Sequence, residues 1–204
     1  MRLYPWEPTW VTPTRAALMD YTVPGFFHHG AALLELVRAY RPERMVEVGT
    51  YLGKSAIPLA RLVHQWYGTL VCVDLWEGAE GQARMNAVGG YLERAGVTNV
   101  TLIRQDSVGA ALTFPRGSVD AVFVDGSHEY PDVVRDLDAW APVLRPGGLL
   151  AGDDYGAPLT TRVTRGRADE VTRAWHDVAG ASGWPLFTEH GRGNPGLVWV
   201  EIPT

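Results

Sequence analysis

This 204-residue chain has a single cysteine, Cys72, so it can form neither an internal disulfide nor a thiolate-built metal site. Cys72 falls in an apolar run expected to be a buried strand, where a thiol serves as a small hydrophobe. No apolar run approaches the length that crosses a bilayer. Met1 to Val23 mixes Trp6, Trp10, Pro5, Pro8 and Pro13 with Glu7 and Asp20, and so lacks the apolar centre of a secretion signal. The expectation is a cytoplasmic protein without membrane contact, in which the acceptor-like triplet Asn99-Val100-Thr101 is chance. Positive charge is scarce as well. Eighteen Lys and Arg stand against 23 Asp and Glu, for a formal net charge of −5. That balance disfavours a nucleic-acid partner held by a broad basic surface. Repeats, low-complexity tracts and linker-like stretches are missing too. One domain over residues 1–204 is expected, with 1–30 as a lid or dimer arm.

What the chain does contain is a regular alternation of short apolar runs and amphipathic segments. Ala31 to Tyr40, Ser55 to Gln65, Glu80 to Arg94, Asp132 to Leu144 and Ala168 to Val178 read as helices. Arg41-Pro42 ends the first, and Pro58 is tolerable only within the first turn of the second. Met45 to Val48, Thr69 to Val73, Val100 to Ile103, Val119 to Val124 and Leu149 to Gly152 read as strands buried on both sides. Arg145 to Gly148 reads as a turn. Trp184 to His190 and Leu197 to Ile202 read as a closing antiparallel hairpin. This order gives a parallel sheet covered by helices on both faces.

The densest signal is Glu47-Val48-Gly49-Thr50-Tyr51-Leu52-Gly53-Lys54-Ser55, a strand end, a glycine turn and a helix start. A helix N-terminus presents unpaired N–H groups and favours an anionic ligand group. Gly49 and Gly53 are expected to let a ligand approach bare backbone. A dinucleotide loop reads G-x-G-x-x-G and takes its acid from further on. Here the acid precedes the glycines and the spacing is G-x-x-x-G. That pattern suits a ligand carrying both an amine and a carboxylate, and it disfavours a nicotinamide-dependent dehydrogenase.

Asp74, Asp106, Asp125, Asp153 and Asp154 each follow an apolar strand. Strand carboxyl ends border one crevice in an open α/β sheet, so these acids are expected to gather there. Alone, each could be a turn residue or a helix cap. Asp74 is placed to accept ribose hydroxyls. Trp76 either covers a flat ligand face or belongs to the core. Asp106-Ser107 reads an adenine edge, or Ser107 is a helix cap. Asp125, Asp153 and Asp154 would repel one another unless a hard divalent cation joined them, magnesium first. Adjacent Asp153 and Asp154 converge only if the backbone turns, which Gly152 is expected to permit. His128, three residues after Asp125, is a candidate proton acceptor at neutral pH.

Together these residues resemble the class I S-adenosylmethionine-dependent methyltransferases. More narrowly, the chain resembles the metal-dependent O-methyltransferases of the catechol and caffeoyl-CoA type and the bacterial sugar O-methyltransferases. The resemblance runs from about Ala31 to Tyr155. It implies a Rossmann-like, mostly parallel seven-stranded sheet with helices on both faces and an antiparallel C-terminal hairpin. It implies cofactor contacts from Glu47, Gly49, Thr50, Tyr51, Gly53, Ser55, Asp74, Trp76, Asp106, Ser107 and Asp125. It implies magnesium, or another divalent cation, on Asp125, Asp153 and Asp154, with His128 or Asp125 taking the proton from a small-molecule hydroxyl. Two positions depart from the catechol-type pattern: His128 stands where lysine is usual, and the adjacent pair is Asp-Asp, as in the sugar-modifying group. The acceptor is expected to be a sugar diol or a catechol, in a pocket built from the N-terminal segment and Tyr155 to Arg167; Trp6, Trp10, Phe26 and Phe27 either close over it or pack in a core or dimer, and Arg162, Arg165 and Arg167 either hold an anionic acceptor or form a solvated loop. A homodimer is compatible with this reading. A metal-independent methyltransferase and a non-catalytic nucleotide-binding module are the competing functions.

Overall fold

The structure, a computed structural model, describes residues 22–25, 27, 29–156, 170–189 and 196–204. The apolar runs rich in Val, Leu and Ile become strands. β1 (Arg44–Val48), β2 (Thr69–Asp74), β3 (Val100–Arg104), β4 (Val119–Val124) and β5 (Leu144–Tyr155) pair in parallel. β7 (Gly196–Glu201) lies antiparallel between β5 and β6 (Phe187–Glu189). The described residues form one seven-stranded sheet of order β3-β2-β1-β4-β5-β7-β6, the Rossmann-like arrangement expected.

Alternation along the strands feeds two apolar layers. Met45, Leu70, Cys72, Ala121 and Phe123 face α1 (Gly30–Tyr40) and α2 (Ala56–His64) through Leu33, Leu34, Val37, Leu59 and Val63. Val46, Val48, Val73, Val122 and Val124 face α5 (Tyr130–Trp140) and α6 (Glu170–Ser182), meeting Val133, Leu137, Trp140 and Trp175. α3 (Gly81–Arg94) adds a smaller cluster of Val88 and Leu92 with Trp76, Ile57 and Val23. Arg41 ends α1 in the left-handed region at φ 49°, donating its N–H to Val37 O before Pro42. Pro58 is the third residue of α2, where a missing N–H costs no intrahelical bond.

Three elements differ from the sequence expectation. Arg145 to Gly148 is not a turn between elements but an excursion inside β5: Val119 pairs with Leu144 and Ala121 with Leu149, so the intervening residues bulge out. A short helix, α4 (Ser107–Ala111), follows β3. α5 starts earlier than expected and stops at Trp140, continuing as a 3₁₀ turn over Ala141–Val143. Among the described residues no helix is long and apolar enough to cross a membrane.

Gly152 serves a purpose the sequence did not disclose. A Cβ there would stand 2.6 Å from Cζ2 of Trp175, a ring that is 2% exposed. The missing side chain is the seat of the indole, not a hinge. Gly152→Ala is therefore expected to destabilise the fold by about 1–3 kcal/mol, the range for an overpacked core. Trp175→Leu in the same chain should recover part of that loss in a thermal melt. Additive losses in the double variant would refute the contact.

Candidate functional site

The strand order reverses between β1 and β4, and ligands of open α/β sheets bind outside such a switch point. The ladder runs on past the strand ends there, with Gly49 N donating to Val73 O and Asp125 N to Val48 O, both at 2.8 Å. Gly49 has φ +90°, and a Cβ on it would sit 2.0 Å from the Asp125 carbonyl oxygen. The β1 and β4 loops thus touch backbone to backbone. A cavity of about 870 Å³ opens above them. Gly49, Thr50, Tyr51, Ser55, Asp74, Asp106, Ser107, Asp125, His128, Asp153 and Asp154 of the expected site all line it.

Glu47, Gly53 and Trp76 do not, and each has a physical reason. Glu47 is fully buried beneath the loop. Its Oε2 accepts from Thr50 Oγ1 at 3.0 Å and from the Cys72 thiol at 3.5 Å, while Oε1 has no partner. Burial holds its carboxyl above the usual range, against the lowering effect of the Ser55, Thr50 and Cys72 side chains. Gly53, at φ +81°, leaves room for Val88 Cγ1, which a Cβ would meet at 3.1 Å. Both glycines make room for the protein's own atoms. Trp76 is 1% exposed and donates Nε1–H to Tyr51 O at 2.8 Å, so it supports the loop from within the core. Asp74 fixes the same loop from the cavity side. Its Oδ2 accepts from Tyr51 N and its Oδ1 from Trp76 N, each at 2.7 Å. Tyr51 itself has φ 49°.

At the other end of the cavity stand the acids of β4 and β5. The pairing of β5 with β7 shifts between Gly152 and Tyr155, where three steps on one strand match two on the other. Asp154 takes up the extra residue at φ 60°. This bulge, not Gly152, turns the backbone. One ligand atom each from Asp125, His128 and Asp154 falls within 4.8 Å of the others. His128 Nε2 and Asp154 Oδ2 are 2.6 Å apart. Asp153 does not join that group, and its Oδ1 accepts the N–H of Asp154 at 2.9 Å. The sequence expectation grouped Asp125, Asp153 and Asp154, whereas the clustered set is Asp125, His128 and Asp154. Burial first, then the charges of Asp153 and Asp154, push Asp125 well above the ordinary range. Burial and then Asp154 push Asp153 up to about 7.

The remaining wall comes from α4 and α5. Asp106 caps α4, accepting Gly109 N at 2.8 Å, so the capping alternative is realised by Asp106 and not by Ser107. Ser107 Oγ accepts Trp140 Nε1–H at 2.8 Å. Lys54, Ser127, Asp132, Arg135 and Asp136 also line the cavity and were not singled out from the sequence. Lys54 Nζ donates to Val23 O at 2.9 Å. Asp132 accepts from Ser127 Oγ at 2.8 Å and pairs with Arg135, and the Ser127 hydroxyl first, then Arg135, keep its carboxyl below the usual range. Asp136 had a readable signal, an acid inside the apolar stripe of α5. Of the residues expected to hold an acceptor, Phe27 packs on the α1 and α2 layer. Trp6, Trp10, Phe26, Arg162, Arg165 and Arg167 lie outside the described residues.

A protein-family model described as a methyltransferase domain matches residues 46–155. The "Uncharacterized protein y4gI" of Sinorhizobium fredii is 32% identical over 136 residues, which is 63% of this chain and 15% of that protein. The chain therefore spans a small part of that curated relative. Solved structures share the fold, among them two named methyltransferases with the cofactor or its product bound. The O-methyltransferase TomG from Streptomyces achromogenes, in complex with SAM, aligns with TM-score 0.68 at 22% identity, over 95% of this chain and 89% of that one. The O-methyltransferase from Bacillus cereus, in complex with SAH, aligns with TM-score 0.64 at 19% identity, over 93% and 87%.

The raised carboxyls make stability depend on pH in a defined direction. Asp125 and Asp153 hold protons in the fold that the unfolded chain would release, so stability falls as pH rises from the ordinary Asp range of 3.8 through about 7. Melts in chelator between pH 4.5 and 8 should show a decline on the order of a few kcal/mol at most. Asp153→Asn should flatten it. A wild-type protein that gains stability across that window would contradict the electrostatic assignment.

Proposed function

This chain belongs to the methyltransferase-domain family, and on that footing we propose that it moves the methyl group of S-adenosylmethionine to a hydroxyl of a small molecule beside a divalent cation. One observation carries the reading: the β1 loop and the Asp125–His128–Asp154 group open onto the same cavity at the sheet's switch point. The donor set fits a cation. One ligand atom each from Asp125, His128 and Asp154 falls within 4.8 Å of the others, and together they offer the oxygen and nitrogen donors that a dication takes. Two carboxylates suit magnesium, and the imidazole widens the choice to manganese and later first-row ions.

Bound S-adenosylmethionine supplies an activated sulfonium methyl, and a bound dication supplies a Lewis acid that lowers the pKa of an acceptor hydroxyl. The chain's residues do the rest. Glu47 holds Thr50, and through it the loop whose backbone faces the methionine end. Ser55 and the start of α2 receive the carboxylate of that end. Asp74 has one lone pair per oxygen left for ribose hydroxyls. Where His128 is left off the cation its imidazole takes the acceptor proton, and where it is bound Asp125 is the base. Holding acceptor and donor in line removes much of the entropic barrier. The acceptor class is a sugar diol or catechol, whose two oxygens can chelate one ion.

Calorimetry with S-adenosylmethionine and a methyl-transfer screen over sugar diols and catechols, with and without EDTA, test this. Binding of S-adenosylmethionine and EDTA-sensitive transfer are expected. Asp154→Ala should lower turnover by about 100-fold or more, as when a metal site is lost, while S-adenosylmethionine affinity is largely kept. Full activity of Asp154→Ala in excess EDTA would remove the cation from the scheme. Failure to bind S-adenosylmethionine at all would remove the scheme.

A further inference from the structure

α6 carries one polar stripe on each flank of its buried face, and each stripe grips a different loop of the site. Glu170, Arg173 and Asp177 recur at helical spacing on one flank, and all three meet Tyr130. Glu170 Oε2 accepts Tyr130 N–H at 2.9 Å, the Arg173 guanidinium lies 4.0 Å from the ring centre, and Asp177 Oδ2 accepts the phenol O–H at 2.8 Å. Tyr130 stands two residues after His128. Thr172 and His176, one turn apart on the other flank, reach the end of β5. Thr172 Oγ1 accepts Gly156 N–H at 2.7 Å, and His176 Nε2 lies 2.7 Å from the Tyr155 hydroxyl. Gly156 stands two residues after Asp154. The helix is itself fixed to the sheet. Val171, Ala174 and Trp175 pack into the core, and Trp175 is seated on Gly152.

The sheet ladder holds neither His128 nor Asp154. His128 lies in the loop between β4 and α5, and Asp154 lies where the pairing of β5 with β7 is interrupted. Yet His128 Nε2 and Asp154 Oδ2 stand 2.6 Å apart. Two backbone N–H groups, one from each segment, end on side chains of the first turn of α6. Resting on the reading that Asp125, His128 and Asp154 take a cation, we propose that Glu170 and Thr172 are positioning residues: through Tyr130 N–H and Gly156 N–H they hold His128 and Asp154 at ligating distance from one another. Neither belongs to the ligand group. Each acts through the backbone of a segment that carries one of the ligands.

The probe is Mn2+, titrated by calorimetry into the full chain, with thermal melts alongside. The wild-type protein is expected to bind the ion and Asp154→Ala to lose it. Glu170→Gln keeps an oxygen for Tyr130 N–H and Thr172→Ser keeps the hydroxyl, whereas Glu170→Ala and Thr172→Val remove the acceptor. Glu170→Ala and Thr172→Val should each weaken Mn2+ binding by about tenfold, as when a group that orients a ligand is lost, while Glu170→Gln and Thr172→Ser stay within about threefold of wild type. An acid that served only the helix dipole would lower the melting temperature of Glu170→Gln and Glu170→Ala alike and leave Mn2+ affinity unmoved. That result overturns the inference. Equal weakening in Glu170→Gln and Glu170→Ala assigns the effect to charge and also overturns it. Thr172→Val carries the test should Glu170→Ala not fold, and unchanged affinity in folded Thr172→Val overturns the inference while the cation reading stands. Absence of Mn2+ binding by the wild-type protein, or binding that Asp154→Ala leaves intact, overturns the cation reading and this inference with it.

Discussion

The cavity exists because two backbones can touch. Gly49 lies against the Asp125 carbonyl with no room for a Cβ, at 2.0 Å from the ideal position. Any side chain there would part β1 from β4 where the sheet changes direction. The hydrogen bonds Gly49 N to Val73 O and Asp125 N to Val48 O carry the ladder past the strand ends and hold the two loops in register. Neither half of the site makes sense alone. The β1 loop offers a helix start and Asp74 but no proton acceptor; the β4 and β5 ends offer acids and an imidazole but no cradle. Close packing at one glycine joins them.

The acids around the cavity divide by how well the protein satisfies them. Asp74 is held by two backbone N–H groups, Asp106 by the start of α4, and Asp132 by Ser127 and Arg135. These build walls. Asp125, Asp136 and Asp153 are left with raised carboxyls, through burial above all. A fold tolerates such groups where something outside the chain completes them. Glu47 stands apart. It is buried and raised too, yet it faces the loop's underside and does not reach the cavity. Its work is to anchor Thr50.

Much of this was legible from the residues. Five parallel strands, the main helices and the gathering of strand-end acids follow from apolar periodicity and from where each acid stands. What escaped was of one physical kind, the direction in which an atom points. Trp76 could as well have lined a ligand as filled a core, and periodicity does not separate the two. Gly53 and Gly152 read as freedom for a ligand or a turn, yet Val88 and Trp175 occupy the space they leave. These are contacts between distant segments, invisible to local pattern. Asp136 escaped for the opposite reason. It breaks the local pattern, an acid set inside an apolar stripe.

The Asp153-Asp154 pair shows why local pattern has to fail at such a point. In a regular strand successive side chains leave opposite faces of the sheet, so adjacent acids could not serve one crevice. The bulge between Gly152 and Tyr155 breaks that alternation and re-aims Asp154. Its φ of 60° is a conformation that aspartate tolerates better than most residues, at a cost of roughly 1 kcal/mol or more. Asp153 lowers that cost by accepting the N–H of Asp154. The two acids are therefore not interchangeable. Asp153 shapes the bend, and Asp154, carried round by it, meets His128. A chain that spent conformational energy only on its own stability would have kept the strand straight and the two carboxylates apart.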